Sequence, residues 1–356
     1  ELGAVTASTG SHPTDNLAAY QLYLEARYLL LKRGEKNMLK AHSLFEQAVA
    51  MDPTFSSAWS SLAYNYSLLP VYGKTISTQQ AWEKINVAAN KAIQLNPGNA
   101  EAYVALARAN NHDDYKTIQK LYEKAYELAP NNVDVINLYA DFMVVVGDFK
   151  AAEALEHKAI ELDPLAAVHY SDLAFVMFPL GRFDEGLNYG RTSHKLETES
   201  DYRADPIVMG LLSTAQYDEA IQLINQFEQQ QGHDVDTISW WWCFLYYQQG
   251  NESMLRKKLA ERMQNHETGL DNINYSTTAI YTAWLDGVDA ALPLFIKSYS
   301  KDEWQLTWPD FIYLPEDISD DPDWLAFWQQ PRLAELMDIR RANKTQPHIG
   351  WWKARP

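Results

Sequence analysis

The residues from which a reactive or metal-binding site would have to be assembled are nine histidines, one cysteine and 47 carboxylates. Their spacing assembles none. The sequence holds no glycine-rich phosphate loop, no nucleophile elbow and no pair of histidines at zinc-ligand spacing. His112-Asp113-Asp114 and His233-Asp234-Val235-Asp236 each set an imidazole beside carboxylates. Both fall in expected loops, where Asp and His cap turns through local hydrogen bonds. His157 falls on a helix and reads as a solvated or hydrogen-bonded residue. In the acidic run from Pro315 to Asp323, Asp321 and Asp323 fit two calcium-ligand positions, but Leu325 takes the third and no glycine follows. Cys243 is alone in the apolar stretch WWWCFLYYQQ, where a thiol behaves as a small hydrophobe. A single cysteine permits neither an internal disulfide nor a thiolate cluster. The chain reads as non-catalytic, with no cofactor and no metal.

The chemistry that remains is recognition. Aromatic, amide and charged residues recur on the helix face opposite the buried stripe: Tyr64, then Arg108 and Asn111, then Asn137 and Asp141, then Asp172 and Phe175, and later Trp240 and Tyr247. Such a mixture suits an extended peptide, a partner helix or a small polar ligand. In Trp240-Trp241-Trp242 at least one indole must leave the core stripe, because consecutive helix residues point about 100° apart.

These residues are useful only if repeated helices bring them to one face. The clearest unit runs from Leu121 to Pro164, LYEKAYELAPNNVDVINLYADFMVVVGDFKAAEALEHKAIELDP. An apolar helix from Val133 to Val146 is followed by a turn at Gly147-Asp148 and a second helix carrying Ala152, Leu155, Ala159 and Ile160. Proline ends the second helix because it has no N–H to donate and clashes with the preceding turn. Pro130 and Pro164 stand 34 residues apart. Two amphipathic helices, a glycine turn and a closing proline at this period resemble the tetratricopeptide (TPR) repeat. One such pair cannot bury its apolar face alone, so neighbours stack and share a core.

The same signals recur along the chain. A first unit begins at Asn16, with Leu17, Tyr20, Leu24, Tyr28 and Leu31 at helical spacing, and closes at Asp52-Pro53. The second carries Trp59, Leu62, Ala63 and Tyr66; Pro53 to Pro97 is 44 residues, so roughly ten are inserted around PVYGKTISTQQ, either as lengthened helices or as added surface. The third closes at Pro130. Phe183-Asp-Glu-Gly186 and Tyr217-Asp-Glu-Ala220, 34 apart, keep the register through the fifth and sixth units, where the closing proline is lost. A seventh runs from Val235 to Asn265 and an eighth from Ile273 to Tyr299. The expected fold is all-α, an α-α superhelix (a TPR solenoid) of about seven or eight helix-turn-helix units with a C-terminal helical cap. Residues 1–15 read as linker, 16–300 as the repeat array and 301–356 as the capping segment, with Trp351 and Trp352 in its final stretch.

A net charge of −17 excludes a basic surface for nucleic acid and argues against docking on anionic lipid. No apolar run reaches the ~18 residues needed to span a bilayer, and the N-terminus lacks a basic-then-apolar signal. Glu1 is not an initiator methionine, so the chain reads as part of a longer or processed protein.

AAYQLYLEARYLL (Ala18 to Leu30), KAHSLFEQAVAMDPTFSSAWSSLAYNY (Lys40 to Tyr66) and the long second-repeat connection carry a narrower likeness. They resemble the C-terminal TPR region of bacterial membrane-tethered signalling proteins, whose N-terminal outputs include ToxR-like winged-helix transcription regulators and adenylate cyclases. That resemblance implies a periplasmic sensory or scaffolding role, with the output domain and membrane tether outside this chain; a cytoplasmic setting is the alternative. The carboxylate clamp of chaperone-binding relatives is not matched: its positions carry Ser60 with Tyr64, Val104 with Arg108, and Asn137 with Asp141. A protein or peptide partner in the concave face is expected, and a small-molecule sensor taking a saccharide around Phe175 and Trp240 is the alternative.

Overall fold

The structure, a computed structural model, describes residues 13–31, 35–70, 75–109, 114–197, 204–229, 235–268, 275–300, 322, 326–327 and 329–343. Among them every regular element is a helix. Sixteen helices form eight successive antiparallel pairs: α1 (Leu17–Leu31) with α2 (Glu35–Met51), α3 (Ser56–Leu68) with α4 (Thr78–Leu95), α5 (Ala100–Ala109) with α6 (Tyr115–Leu128), and α7 (Val133–Val145) with α8 (Phe149–Leu162). Then come α9 (Ala167–Met177) with α10 (Phe183–Leu196), α11 (Asp205–Ser213) with α12 (Tyr217–Gln229), α13 (Val235–Gln248) with α14 (Glu252–Thr268), and α15 (Tyr275–Asp286) with α16 (Val288–Ser300). A last helix, α17 (Pro331–Ala342), follows. The all-α repeat expected from the sequence is what folds. The chain divides into two compact units inside α7, residues 1–139 and 140–356.

In unit 1 the pairs are joined by a side-chain device that the prolines alone do not reveal. The indole N–H of Trp59 donates to the carbonyl of Pro53 (3.0 Å), and the hydroxyls of Tyr103 and Tyr170 donate to Pro97 (3.2 Å) and Pro164 (3.1 Å). The last of these repeats the arrangement in unit 2. An aromatic six residues beyond Pro53, Pro97 and Pro164 thus fixes the angle at which the next pair begins, whereas Pro130 has Ile136 at that place. Small residues let the helices cross closely beneath: Ala41, Ala48, Ala58, Ala63, Ala88 and Ala89 are all buried in one core with Phe45 and Phe55. The insertion in the second pair is divided. α4 reaches 18 residues against 14 in α6 and α8, and it opens with a Ser77–Gln80 capping box. Residues 71–74 of the insertion lie outside the described residues.

In unit 2 the turn inside each pair is a left-handed cap. Gly147 (φ 77°), Gly181 (φ 72°), Ala215 (φ 58°), Gly250 (φ 67°) and Gly287 (φ 88°) follow one another at intervals of 34, 34, 35 and 37 residues. Asp148, Arg182, Gln216 and Asn251 then donate their N–H back to Met143, Met177, Leu211 and Tyr246 at 2.8–3.0 Å, which satisfies carbonyls that the helix end would otherwise orphan. Ala215 holds the position that glycine holds in its neighbours, at a cost of about 1 kcal/mol for its Cβ. The sixth pair therefore keeps the geometry after losing the residue that announces it.

The core of unit 2 is aromatic. Trp241 is fully buried, meets Phe227 edge-on at 5.8 Å, and donates its indole N–H to the Asp205 carboxylate. Tyr247 stacks on Trp284 at 3.9 Å and Trp240 on Phe244 at 5.5 Å, while Tyr281 donates to the Trp240 carbonyl at 3.2 Å. Cys243 is buried among them, as the small hydrophobe its surroundings suggest. α17 packs Leu333 against Phe295 and Phe327. Its Arg340 Nε and the adjacent Asn343 Nδ2 donate to the Val145 and Val146 carbonyls, at 2.9 and 3.0 Å, where α7 ends.

The units differ in charge as well. Residues 1–139 hold 13 acidic and 12 basic side chains, whereas 140–356 hold 34 and 18, so nearly all of the net −17 belongs to unit 2.

Candidate binding face of unit 1

Helices pack about 8–10 Å apart, so α1 and α5, with α3 between them, would stand about 16–20 Å apart in a flat row. Yet Arg27 of α1 pairs with Glu101 of α5 at 2.8 Å and approaches Asp134 of α7 at 3.6 Å. Extended side chains can bridge the first gap, but α7 would stand about 24–30 Å from α1 in a flat row. The contact with Asp134 therefore requires the row of first helices to curve inward, and the face that Arg27 crosses is concave. Tyr23 lies one turn before Arg27, whose guanidinium rests 5.9 Å from the ring centre. The Glu101 carboxylate raises the Arg27 pKa and keeps the guanidinium charged. Burial, and then the Glu101 charge, raise the Tyr23 phenol above its ordinary value. Glu101 and Asp134 sit in the first turns of their helices, where the dipole favours an anion.

Two turns along α5 from Glu101 lies Arg108, half-buried and in the last turn, where the dipole favours a cation. Its Nε donates to Ser67 Oγ at 3.2 Å and its guanidinium lies 5.7 Å from the Tyr64 ring centre. The structure thus brings together two residues selected from sequence, Tyr64 and Arg108. Asn137 is half-buried on α7, one turn beyond Asp134. Asn111 lies outside the described residues. Arg27, Glu101 and Asp134 escaped the sequence reading because their meeting depends on curvature across three helix pairs. The local signal was only an arginine within a mostly apolar first helix.

In unit 2, Asp141, Asp172 and Phe175 are half-buried on successive first helices, with Phe175 edge-on to Phe178 at 6.3 Å. Trp240 is half-buried within the aromatic cluster. Tyr247 requires a correction: at 6% exposure, stacked on Trp284, it belongs to the core and not to a groove. Nearly every residue of its helix is apolar, so no polar face existed to fix the rotation.

Of the residues first tested for chemistry, Asp114 accepts from the Thr117 N–H and caps α6, and exposed His157 lies 3.8 Å from Glu153. His112, Asp113, His233, Asp234, Trp351, Trp352 and most of the acidic run from Pro315 to Asp323 lie outside the described residues. Among the described residues, no group of three potential ligands could hold a metal ion and no helix is long and apolar enough to cross a membrane.

No family model and no curated protein matches the chain. Solved structures do resemble it. Yeast Tom70 is 17% identical over 92% of this chain and 70% of its own, with a TM-score of 0.47. PilF of Pseudomonas aeruginosa is 19% identical over 59% and 90% (0.46), and a thermophilic TPR protein of Thermus thermophilus is 18% identical over 58% and 100% (0.44).

Proposed function

We propose that the chain is a non-catalytic scaffold that holds an extended segment of a protein partner against the first-helix face of unit 1. The observation that carries this reading is the curvature imposed by the Arg27–Glu101 and Arg27–Asp134 contacts, which turns a row of helices into a trough lined by polar and aromatic side chains. A trough lined by Tyr23, Tyr64 and Arg108 offers ring faces and hydrogen-bond donors to a backbone without committing to one sequence. Membership of a bacterial signalling or transcription-regulatory protein, membrane-tethered with the repeats on the periplasmic side, is part of the proposal and rests on the sequence likeness between Ala18 and Tyr66.

Site-specific photo-crosslinking tests the reading. A photoreactive residue at Tyr64 should trap a discrete partner, and the same residue at Val87, which is 70% exposed on the second helix of that pair, should not. Equal capture at both positions, or none at Tyr64, would remove unit 1's concave face from the function.

A further inference from the structure

We propose that the outer stripe of α1 is a contact for a second copy of this chain, with the two α1 helices packed antiparallel about a two-fold axis. The inference stands apart from the trough described above. Ala26, Ala63 and Ala107 are fully buried at the same place in the first three pairs. Counting from them, Gln21, Leu24 and Tyr28 of α1 match Ala58, Ser61 and Asn65 of α3, and Ala102, Ala105 and Ala109 of α5. All six residues of α3 and α5 are buried, because on this side each pair stacks against the one before it. In α1 the same side faces outward. Leu24 is 45% exposed and Tyr28 52%, and Leu17, one turn before Gln21, is 67% exposed. Large apolar residues exposed singly are ordinary, but three on one stripe mark a contact.

Residue size and spacing identify the occupant. In α3 and α5 this side is built from Ala, Ser and Asn, which let a preceding helix come close. Leu17, Leu24 and Tyr28 are too large for that approach and suit a seam in which side chains interdigitate. Their stripe, completed by Gln21, runs at intervals of four, three and four residues. That is coiled-coil spacing, and it reads the same in both directions, so the helix matches a reversed copy of itself. Leu17 meets Tyr28 of the second copy, and Gln21 meets its Leu24. Charge permits the meeting. Two molecules of net −17 repel each other, yet residues 1–139 hold 13 acidic and 12 basic side chains. α1 itself carries only Arg27 and Glu25, held by Glu101 at 2.8 Å and Lys40 at 2.7 Å. Residues 1–12 offer Leu2 and Val5 as their only large apolar side chains, too few to cover the stripe from within the chain. α1 is already ordered against α2 and α3, so association does not have to fold it. The seam is short, about 22 Å. It belongs with small, weak interfaces, with a dissociation constant of about ten to a hundred micromolar.

Sedimentation of the full chain between about 1 and 500 µM tests the contact. The average mass should rise from monomer towards dimer. Leu24→Glu, which sets two carboxylates in the seam, should weaken association by about tenfold or more. Val87→Glu, at an apolar residue 70% exposed on α4, should leave it unchanged. Cysteine pairing reads the direction of the helices. Leu17→Cys and Tyr28→Cys proteins, mixed and oxidised, should form a mixed disulfide dimer. Neither should do so alone, because like positions lie about 16 Å apart along an antiparallel seam. Cys243 is fully buried and does not compete. A chain that stays monomeric throughout, or association indifferent to Leu24→Glu, overturns the proposal. Bridges between like cysteines overturn the antiparallel arrangement. A lower melting temperature for Leu24→Glu in dilute, monomeric protein would show that another part of the same chain covers the stripe, and that too overturns the second copy.

Discussion

Unit 1 and unit 2 are assembled from the same helix pair, but they place their polar and aromatic residues differently. In unit 1 the aromatics are spread along the pair junctions and over the first-helix face, charges nearly balance, and a cation crosses the trough to fix its curvature. In unit 2 the tryptophans and tyrosines are gathered into the core of the sixth to eighth pairs, negative charge accumulates outside, and α17 joins the last pair to the end of α7. An aromatic side chain can serve as mortar or as a contact surface, and the packing around it decides which. Tyr64 lies half-buried against a guanidinium; Tyr247 lies under Trp284.

The sharpest way to break this contrast is Trp241→Ala. Removing a fully buried indole should cost about 3–5 kcal/mol and speed amide exchange through α11 to α14, while exchange in α1 to α4 stays unchanged. A cost below 1 kcal/mol would mean that the aromatic core is not what holds unit 2. A smaller effect of opposite sign is expected at the one turn where a side chain occupies the left-handed cap. Ala215→Gly should stabilise by about 1 kcal/mol in denaturant titrations, and a destabilisation would show that the sixth turn differs from its neighbours. The smallest effect is on pH. Burial lowers the pKa of His194 on α10 below its ordinary value, so folding favours the neutral ring. Its contribution is intact above pH 6.5, the unperturbed value, and is lost as protons bind the unfolded chain below it. His194→Gln should flatten the stability profile between pH 7.5 and 5, to an extent read from melting temperatures at each pH; an unchanged slope would assign the acid sensitivity of unit 2 to its carboxylates.

The architecture was legible in the sequence wherever a local rule sets it. Prolines ended second helices, and glycines marked turns at Gly147, Gly181, Gly250 and Gly287, because each answers a steric demand of the backbone where it stands. The turn at Ala215 carried no such mark and was found only through Tyr217-Asp-Glu-Ala220, which repeats the start of the neighbouring helix. The face of a helix was legible only where polar residues broke its apolar pattern. α5 sets Glu101 and Arg108, both half-buried, among buried alanines, so its polar side is marked in the sequence. α13, with WWWCFLYY, offered every rotation equally and misplaced Tyr247. Contacts set by curvature, such as Arg27 with Asp134, or by the return of the chain, such as Arg340 with Val145, leave no periodic trace.

That return has a temporal meaning. A stack of helix pairs can grow in the order in which it is made, since each pair needs only its neighbour. The Val145 carbonyl waits for Arg340, which leaves the ribosome 195 residues later. At about 5–20 residues per second, α7 would exist for roughly 10–40 seconds before the partner of its final turn was synthesised. Within a chain whose contacts are mostly local, this return has the long loop closure that slows folding. A nascent chain would therefore carry an unfinished helix end, open to water or to a chaperone, until Arg340 and Asn343 were made.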